Sequence, residues 1–426
     1  MFAFRVDYPS EMERLQAFKF ELMPSASRSQ SMSQIAACKR FVYNRGLDLQ
    51  TANHTAGNKY IRYESMSKLL PVWRAERPWL GEAPYHTLQQ ALKDLDKAFK
   101  NFFLKRAAYP SRKKKGRGAS FRYPDPKQIK LDQENSRIFV PKLGWLRYRN
   151  SRKVLGEIRN VTVSLSNDKW FLSIQTRREV KQPVARVDAA GIDLGVVRFA
   201  TLSDGTVVPP LNIYKRHLAD LRKAQQAMSR KKKFSKNWKK ARAKVQSIHV
   251  RIANARRDYL HKASTAISKN HALAVVEDLQ VGNMSRSAAG TREQPGKNVR
   301  AKAGLNRSIL DQGWGEFRRQ LEYKMCWAGG RLLAVSPINT SRTCPQCGSV
   351  SGDNRKSQAE FACVECGFKE NADLAAAINI LNCGLKTLEG QDPADASAGC
   401  ESTARIACEV NCGLSGQQQE PTKIAA

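Results

Sequence analysis

Long apolar runs are missing from this 426-residue chain. The strongest are short, such as LAVV from Leu273, whereas a bilayer-spanning helix needs about 20 apolar residues. The opening MFAFRVDYPSEME lacks the charged start and apolar core of a secretory signal. Histidine is scarce: the six residues include no H-x3-H and no H-E-x2-H pair, which excludes the usual histidine metalloprotease site. No G-x-S-x-G elbow and no G-x4-G-K-S/T phosphate loop occurs, which removes the corresponding hydrolases and nucleotidases. Acidic residues are also few, 38 against 73 Lys and Arg, for a net charge of +35. A protein this basic repels itself unless a polyanion neutralises it. Nucleic acid, whose phosphates release counterions on binding, fits better than a membrane surface.

Of ten cysteines, Cys38, Cys326, Cys383, Cys400, Cys408 and Cys412 are scattered and suggest no disulfide framework. With no export signal, reduced thiols in a cytosol are expected. The other four form a pattern. Cys344 and Cys347 make one C-x2-C pair, Cys363 and Cys366 a second, with fifteen residues between the pairs. This is structural zinc spacing, and Gly348 and Gly367 follow the pairs as the tight turns of two knuckles. Four thiolates give a closed, tetrahedral and therefore structural site.

Along the chain, AFKFEL (17–22) alternates as a strand and Pro24 ends it. A helix is expected over 31–49, with Ile35, Phe41, Val42 and Leu47 in the core. A second carries Leu88, Leu92, Leu95, Phe99 and Phe102 on one face. SRKKKGRGASFRYP (111–124) is a basic loop ending in aromatics. Short strands fill 138–176, and with the early strand they predict a small β-barrel. KQPVARVDAA then reads as a linker. A hairpin opens the next domain at AAGIDLGVVRFATLSDGTVV. Between Lys215 and Arg257 stand sixteen Lys/Arg and one acid, Asp220. A solvated helical face would mix the signs, so two helices in contact with a polyanion are expected. HALAVVEDL is a buried strand, 282–304 a flexible basic loop, 311–327 a helix with Trp314, Phe317, Leu321 and Met325 inward, and RLLAVSPI a strand. The segment 387–426, with six acids and two bases, is expected to be a disordered acidic tail.

Three carboxylates lie at element ends: Asp193 in GIDLGV, Glu277 in VVEDL, and Asp373, seven positions after Cys366 and at the start of the helix LAAAINIL. A helix-capping role would account for Asp373 alone. Apolar strand neighbours argue against chance for the other two. Phosphodiester cleavage needs an activated water and stabilised charge on both oxygens, which divalent ions on carboxylates provide. Mg²⁺ suits such hard oxygen ligands.

Taken in order, GIDLGV, VVEDLQVGNM, LNRSILDQGWGEFRRQLEYK, INTSRTCPQCG, FACVECGF and NADLAAAINIL resemble the TnpB (OrfB) proteins of insertion sequences, relatives of the small type V CRISPR effectors. AACKRFVYN and SFRYP are similar to the same family, and the likeness covers residues 16–386. It implies an α+β multidomain protein. After an extension at 1–15, a wedge-like β-barrel (16–185) would carry a helical recognition insert (about 27–118). An RNase H-like, RuvC-type nuclease domain would follow (186–340), with a basic helical hairpin (about 212–265). A zinc ribbon (341–369) would be inserted before its last helix (370–386). The implied catalytic, Mg²⁺- or Mn²⁺-holding residues are Asp193, Glu277 and Asp373, and the implied Zn²⁺ ligands Cys344, Cys347, Cys363 and Cys366. The resemblance further implies a guide RNA, a double-stranded DNA target with an adjacent motif, a monomeric ribonucleoprotein, and a cytoplasmic, nucleoid-associated setting in a prokaryote. One departure stands out: the third motif usually carries Asn two residues after its acid, where this chain has Ala375. Two other functions compete, a guided DNA-binding repressor that does not cut and a guide-free zinc-ribbon DNA-binding protein.

Overall fold

A computed structural model describes residues 11–116, 118–181 and 188–390. The linker expected at 181–190 lies largely outside the described residues, as does the acidic tail from 391 onward. The described chain divides into two compact units, one of residues 13–179 and one beginning at Val180.

In the first unit, β1 (Glu11–Glu21) places Phe18 and Phe20 inward at alternate positions, and Leu22 just after it continues the alternation, as AFKFEL predicts. Four helices follow, α1 (Ala26–Thr55), α2 (Tyr63–Ser67), α3 (Leu70–Glu76) and α4 (Tyr85–Phe103). The Ser25 hydroxyl caps α1 by accepting from the Arg28 amide at 3.3 Å, so the helix starts earlier than its apolar pattern indicates. Leu88, Leu92, Leu95 and Phe99 form the buried stripe of α4. Phe102 instead packs edge-on against Tyr109, centroids 5.3 Å apart.

The strands β2 (Ser120–Tyr123), β3 (Lys130–Asp132), β4 (Arg137–Val140), β5 (Gly144–Arg147), β6 (Glu157–Ser166) and β7 (Lys169–Lys181) complete this unit. They differ from the expected single barrel. A four-stranded sheet runs β1-β7-β6-β2, and a separate three-stranded sheet runs β3-β4-β5. The two join at one corner, where Leu22 bridges Tyr148 and the Arg149 amide donates to the Glu21 carbonyl at 2.9 Å. The hairpin β6–β7 is long and β3–β5 are short, so the edges match only at that corner.

The second unit centres on a five-stranded sheet of order β10-β9-β8-β11-β12, made by β8 (Ala189–Asp193), β9 (Ala200–Leu202), β10 (Val207–Val208), β11 (Leu273–Glu277) and β12 (Arg331–Val335). The strands β8, β11 and β12 are parallel; β9 and β10 return antiparallel. Between β10 and β11 run α5 (Ile213–Arg216), α6 (Leu218–Ser229) and α7 (Lys236–Asn270). After β11 come α8 (Val281–Met284), α9 (Val299–Gln312) and α10 (Trp314–Trp327). The basic loop expected over 282–304 thus ends early in a helix, and Gly313, at φ 73°, separates α9 from α10. Trp314, Phe317, Leu321 and Met325 all face inward from α10.

The parity of the central strands decides what each face does. Ala190, Ile192, Ala274 and Val276 bury against α7 and α10. Leu273 and Val275 face the last helix, α11 (Ala372–Glu389), through Ile380, Leu381, Leu385 and Leu388. Two glycines let α11 lie close. A Cβ on Gly191 would sit 2.1 Å from the Ala377 carbonyl oxygen, and one on Gly384 2.5 Å from Val275 Cγ2. Between β12 and α11 the chain forms a cysteine-bearing insert with the hairpin β13 (Glu360–Ala362) and β14 (Lys369–Asn371). Among the described residues, no helix is long and apolar enough to cross a membrane.

Candidate active site

The same parity that sends Val275 and Gly191 toward α11 sends Glu277 and Asp193 there. Val276 pairs with Ile192 across the parallel strands β11 and β8. The next residue on each strand is therefore an acid at its carboxyl end, on neighbouring strands about 4.8 Å apart. Asp373 arrives on the first turn of α11, whose cap Asn371 accepts from the Asp373 amide at 3.2 Å.

The three acids share one field. Burial, then the charges of Glu277 and Asp373, raise the Asp193 carboxyl to about 7; Arg355 and the Leu194 amide oppose that rise. Burial also raises Glu277, against a hydrogen bond from Thr340 and the charge of Arg355. Such mutual repulsion between half-buried carboxylates is relieved by a cation, so the hard oxygen donor set fits a divalent ion such as Mg²⁺. Among the described residues, the four cysteines are the group whose ligand atoms all lie within 4.8 Å of one another. An open carboxylate set leaves positions for water and phosphate oxygens.

Composition and motif order did not single out several residues around the acids. The buried Thr340 hydroxyl donates to Glu277 Oε1 at 2.6 Å and so fixes which oxygen stays free. Asn379, on α11, donates to the carbonyls of Thr340 and Thr343 at 2.8 and 2.7 Å, tying the start of the insert to that helix. Arg198, in the turn after β8, lies 3.9 Å from the Asp373 carboxylate and donates to Asn371 Oδ1 at 3.1 Å. The charge of Arg355, in the insert, lowers both Asp193 and Glu277; the neighbouring buried Asn354 donates to the Arg342 carbonyl at 2.9 Å. Thr340 and Arg355 come to the acids from the segment after β12, and Asn379 acts one step away by holding the Thr340 backbone, so no apolar periodicity announces them.

In the insert, Cys344 and Cys366 sulfurs are 3.6 Å apart, as are those of Cys347 and Cys363. A tetrahedron with Zn–S near 2.3 Å has edges of about 3.8 Å, so the four residues fit Zn²⁺ and are too far apart for disulfides. Gly348 and Gly367 adopt φ of 77° and 73° in two matching turns, where the amides of Gly348 and Gly367 donate to the carbonyls of Cys344 and Cys363. The insert is continuous with the active helix. Cys344, Phe361 and Cys363 pack with Ala372 and Ala375 of the first turn of α11, and β14 runs directly into that helix. Ala375, two residues after Asp373, is thus a buried contact with the cysteine-bearing insert.

Residues 171–288 match the OrfB family model described as "Probable transposase", and 314–380 one described as "Cas12f1-like, TNB domain". Residues 12–59 match a "Helix-turn-helix domain" model, although β1 and the single helix α1 occupy that span here. The chain is 56% identical over 380 residues to "Putative RNA-guided DNA endonuclease InsQ" of Escherichia coli (strain K12), covering 88% of this chain and 94% of that one. It is 33% identical over 421 residues to a "Putative RNA-guided DNA endonuclease" of Streptomyces pristinaespiralis, covering 96% and 97%. A solved structure titled "Cryo-EM structure of the Cas12f1-sgRNA-target DNA complex" superposes with a TM-score of 0.48 at 12% identity, covering 88% of this chain and 99% of that one. On the strength of the near-full-length relatives, the chain belongs to the OrfB (TnpB) family.

Proposed function

We propose that this protein is an RNA-guided DNA endonuclease of a transposable element, cutting at an RNase H-like, RuvC-type site made by Asp193, Glu277 and Asp373. The observation that carries the reading is the placement of Asp193 and Glu277 at adjacent parallel strand ends on the face that α11 covers, with the Asp193 carboxyl raised by burial and by the charges of Glu277 and Asp373. Bound there, Mg²⁺ or Mn²⁺ supplies an activated water and charge neutralisation at the attacking and leaving oxygens. The protein's own groups prepare the site. Asp193 and Glu277 offer oxygens from a rigid sheet, Thr340 orients Glu277, and Arg198 holds the turn that presents Asp373. Arg355 supplies positive charge beside the acids, suited to a phosphate oxygen.

The zinc-bound insert is the structural element that fixes the start of α11. The first unit, with α1–α4 and its two sheets, holds the guide RNA and reads the motif beside the DNA target, while base pairing reads sequence. The working form is a monomeric ribonucleoprotein in the prokaryotic cytoplasm, on the nucleoid. The test is cleavage of matched duplex by protein reconstituted with its guide RNA and Mg²⁺. Asp193→Ala should lose at least 10³-fold in rate while still binding the target, and equal cutting by the variant would sink the assignment.

A further inference from the structure

At the turn between α6 and α7 the chain does something the nuclease site leaves unused. The stretch Arg230–Lys240 carries seven Lys/Arg and no acid. In its middle Phe234 is 67% exposed and held at φ 68°, a left-handed conformation that bulky side chains rarely adopt. Trp238 lies against it, ring centroids 5.5 Å apart and planes inclined by 60°. Lys233 Nζ stands 5.5 Å from the Phe234 ring centre, and the Arg242 guanidinium 5.5 Å from that of Trp238.

Local structure explains part of this. Ser235 caps α7 by accepting from the Trp238 amide at 3.1 Å. An apolar residue just before a cap commonly clips against the first turn. A clip accounts for the Trp238 contact. It accounts neither for an aromatic two-thirds in solvent nor for a backbone conformation that Gly or Asn would adopt at lower cost. Nor does the hairpin need Phe234 for its core, which is made by Leu221, Ala224, Val245, Ile248 and Ile252. Strain retained at an exposed aromatic inside a cationic ring is the pattern of a binding device.

We propose that Phe234, backed by Trp238, stacks on the exposed terminal base pair of a nucleic-acid helix while the surrounding cations hold the flanking phosphates. Cation density selects a polyanion, and the open ring selects a base face. Insertion between two pairs would need both faces of the ring, and Lys233 already stands over one of them. The contact is therefore an end cap. It rests on the nucleic-acid reading of the protein and not on its cleavage chemistry, which the test leaves unread.

The test uses the full-length chain without divalent cations and a 20-base-pair RNA–DNA hybrid. 2-Aminopurine stands at the terminal pair or at the centre, and a third hybrid of the same sequence has both ends closed by loops. Wild-type protein should quench the terminal probe, leave the central one unchanged, and bind open ends more tightly than closed ones. Phe234→Ala should abolish the terminal quench and weaken open-end binding about 10-fold, with closed-duplex affinity and salt dependence unchanged. Phe234→Gly should lose the same quench yet melt at a higher temperature than Phe234→Ala, because glycine relieves the backbone. A terminal signal unchanged in both variants, or equal weakening on open and closed duplexes, overturns the proposal.

Discussion

Asp193 carries the cost of the site before any cation binds. Its carboxyl titrates near 7 in the folded chain because it is buried and faces Glu277 and Asp373, against an ordinary value near 3.9 when unfolded. Between those values the native state holds a proton the unfolded state has released, so stability falls as pH rises from about 4 to 7 and the loss is complete above 7. Asp193→Asn removes that charge. Without added divalent cations, the variant should melt several degrees above wild type at pH 8 and at nearly the same temperature at pH 4. Mg²⁺ should raise the wild-type melting temperature at pH 8 and leave that of the variant nearly unchanged. A variant that melts at or below wild type at pH 8 would contradict the shared field of the three acids. Asp193 and Glu277 were legible as candidates because an acid ending an apolar strand breaks the hydrophobic pattern. Thr340, Arg198, Arg355 and Asn379 were not, because each is an ordinary polar residue whose partner is set by the fold and not by apolar spacing.

At the scale of elements, the zinc insert and α11 behave as one piece. Cys344 is buried against Ala372 and Ala375, β14 runs into α11, and Asn379 ties the insert's first residues to the helix. With Zn²⁺ on the four cysteines as proposed, losing it would remove the support of Asp373 without touching a carboxylate. Cys344→Ser should reduce bound zinc, measured by elemental analysis, and lower guided cleavage by at least 10-fold, while guide RNA affinity stays within a few-fold of wild type. Normal cutting by zinc-depleted protein would make the insert an independent module. Sequence periodicity served these elements unequally. Apolar content found α4, α10 and the strands β8, β11 and β12, the helices through a buried stripe and the strands through short apolar runs. It missed α9, which begins in a basic, polar stretch and buries only Ile309, Asp311 and Gln312. It also read one barrel where two sheets meet at a corner, since strand pairing between distant segments leaves no local trace.

The whole molecule is organised by its charge. Seventy-three Lys and Arg against 38 acids put the empty protein under self-repulsion, and in the proposed function a guide RNA neutralises it. This separates a guided protein from a guide-free DNA binder. Stripped of nucleic acid, the chain should bind an unrelated DNA duplex through phosphates, with affinity falling about 10³-fold or more between 50 and 200 mM salt. Once guide RNA occupies the basic surfaces, far fewer cations remain for the duplex. The slope of log affinity against log salt should then drop to less than half, and tight binding should require base pairing with the guide. Fluorescence anisotropy with both forms of the protein, on matched and unrelated duplexes across that salt range, measures the change. A protein that uses its zinc ribbon on DNA directly would show one slope in both forms, keep full affinity after ribonuclease treatment, and gain nothing from a matched sequence. That result would remove the guide from the mechanism while leaving the carboxylate geometry as it stands.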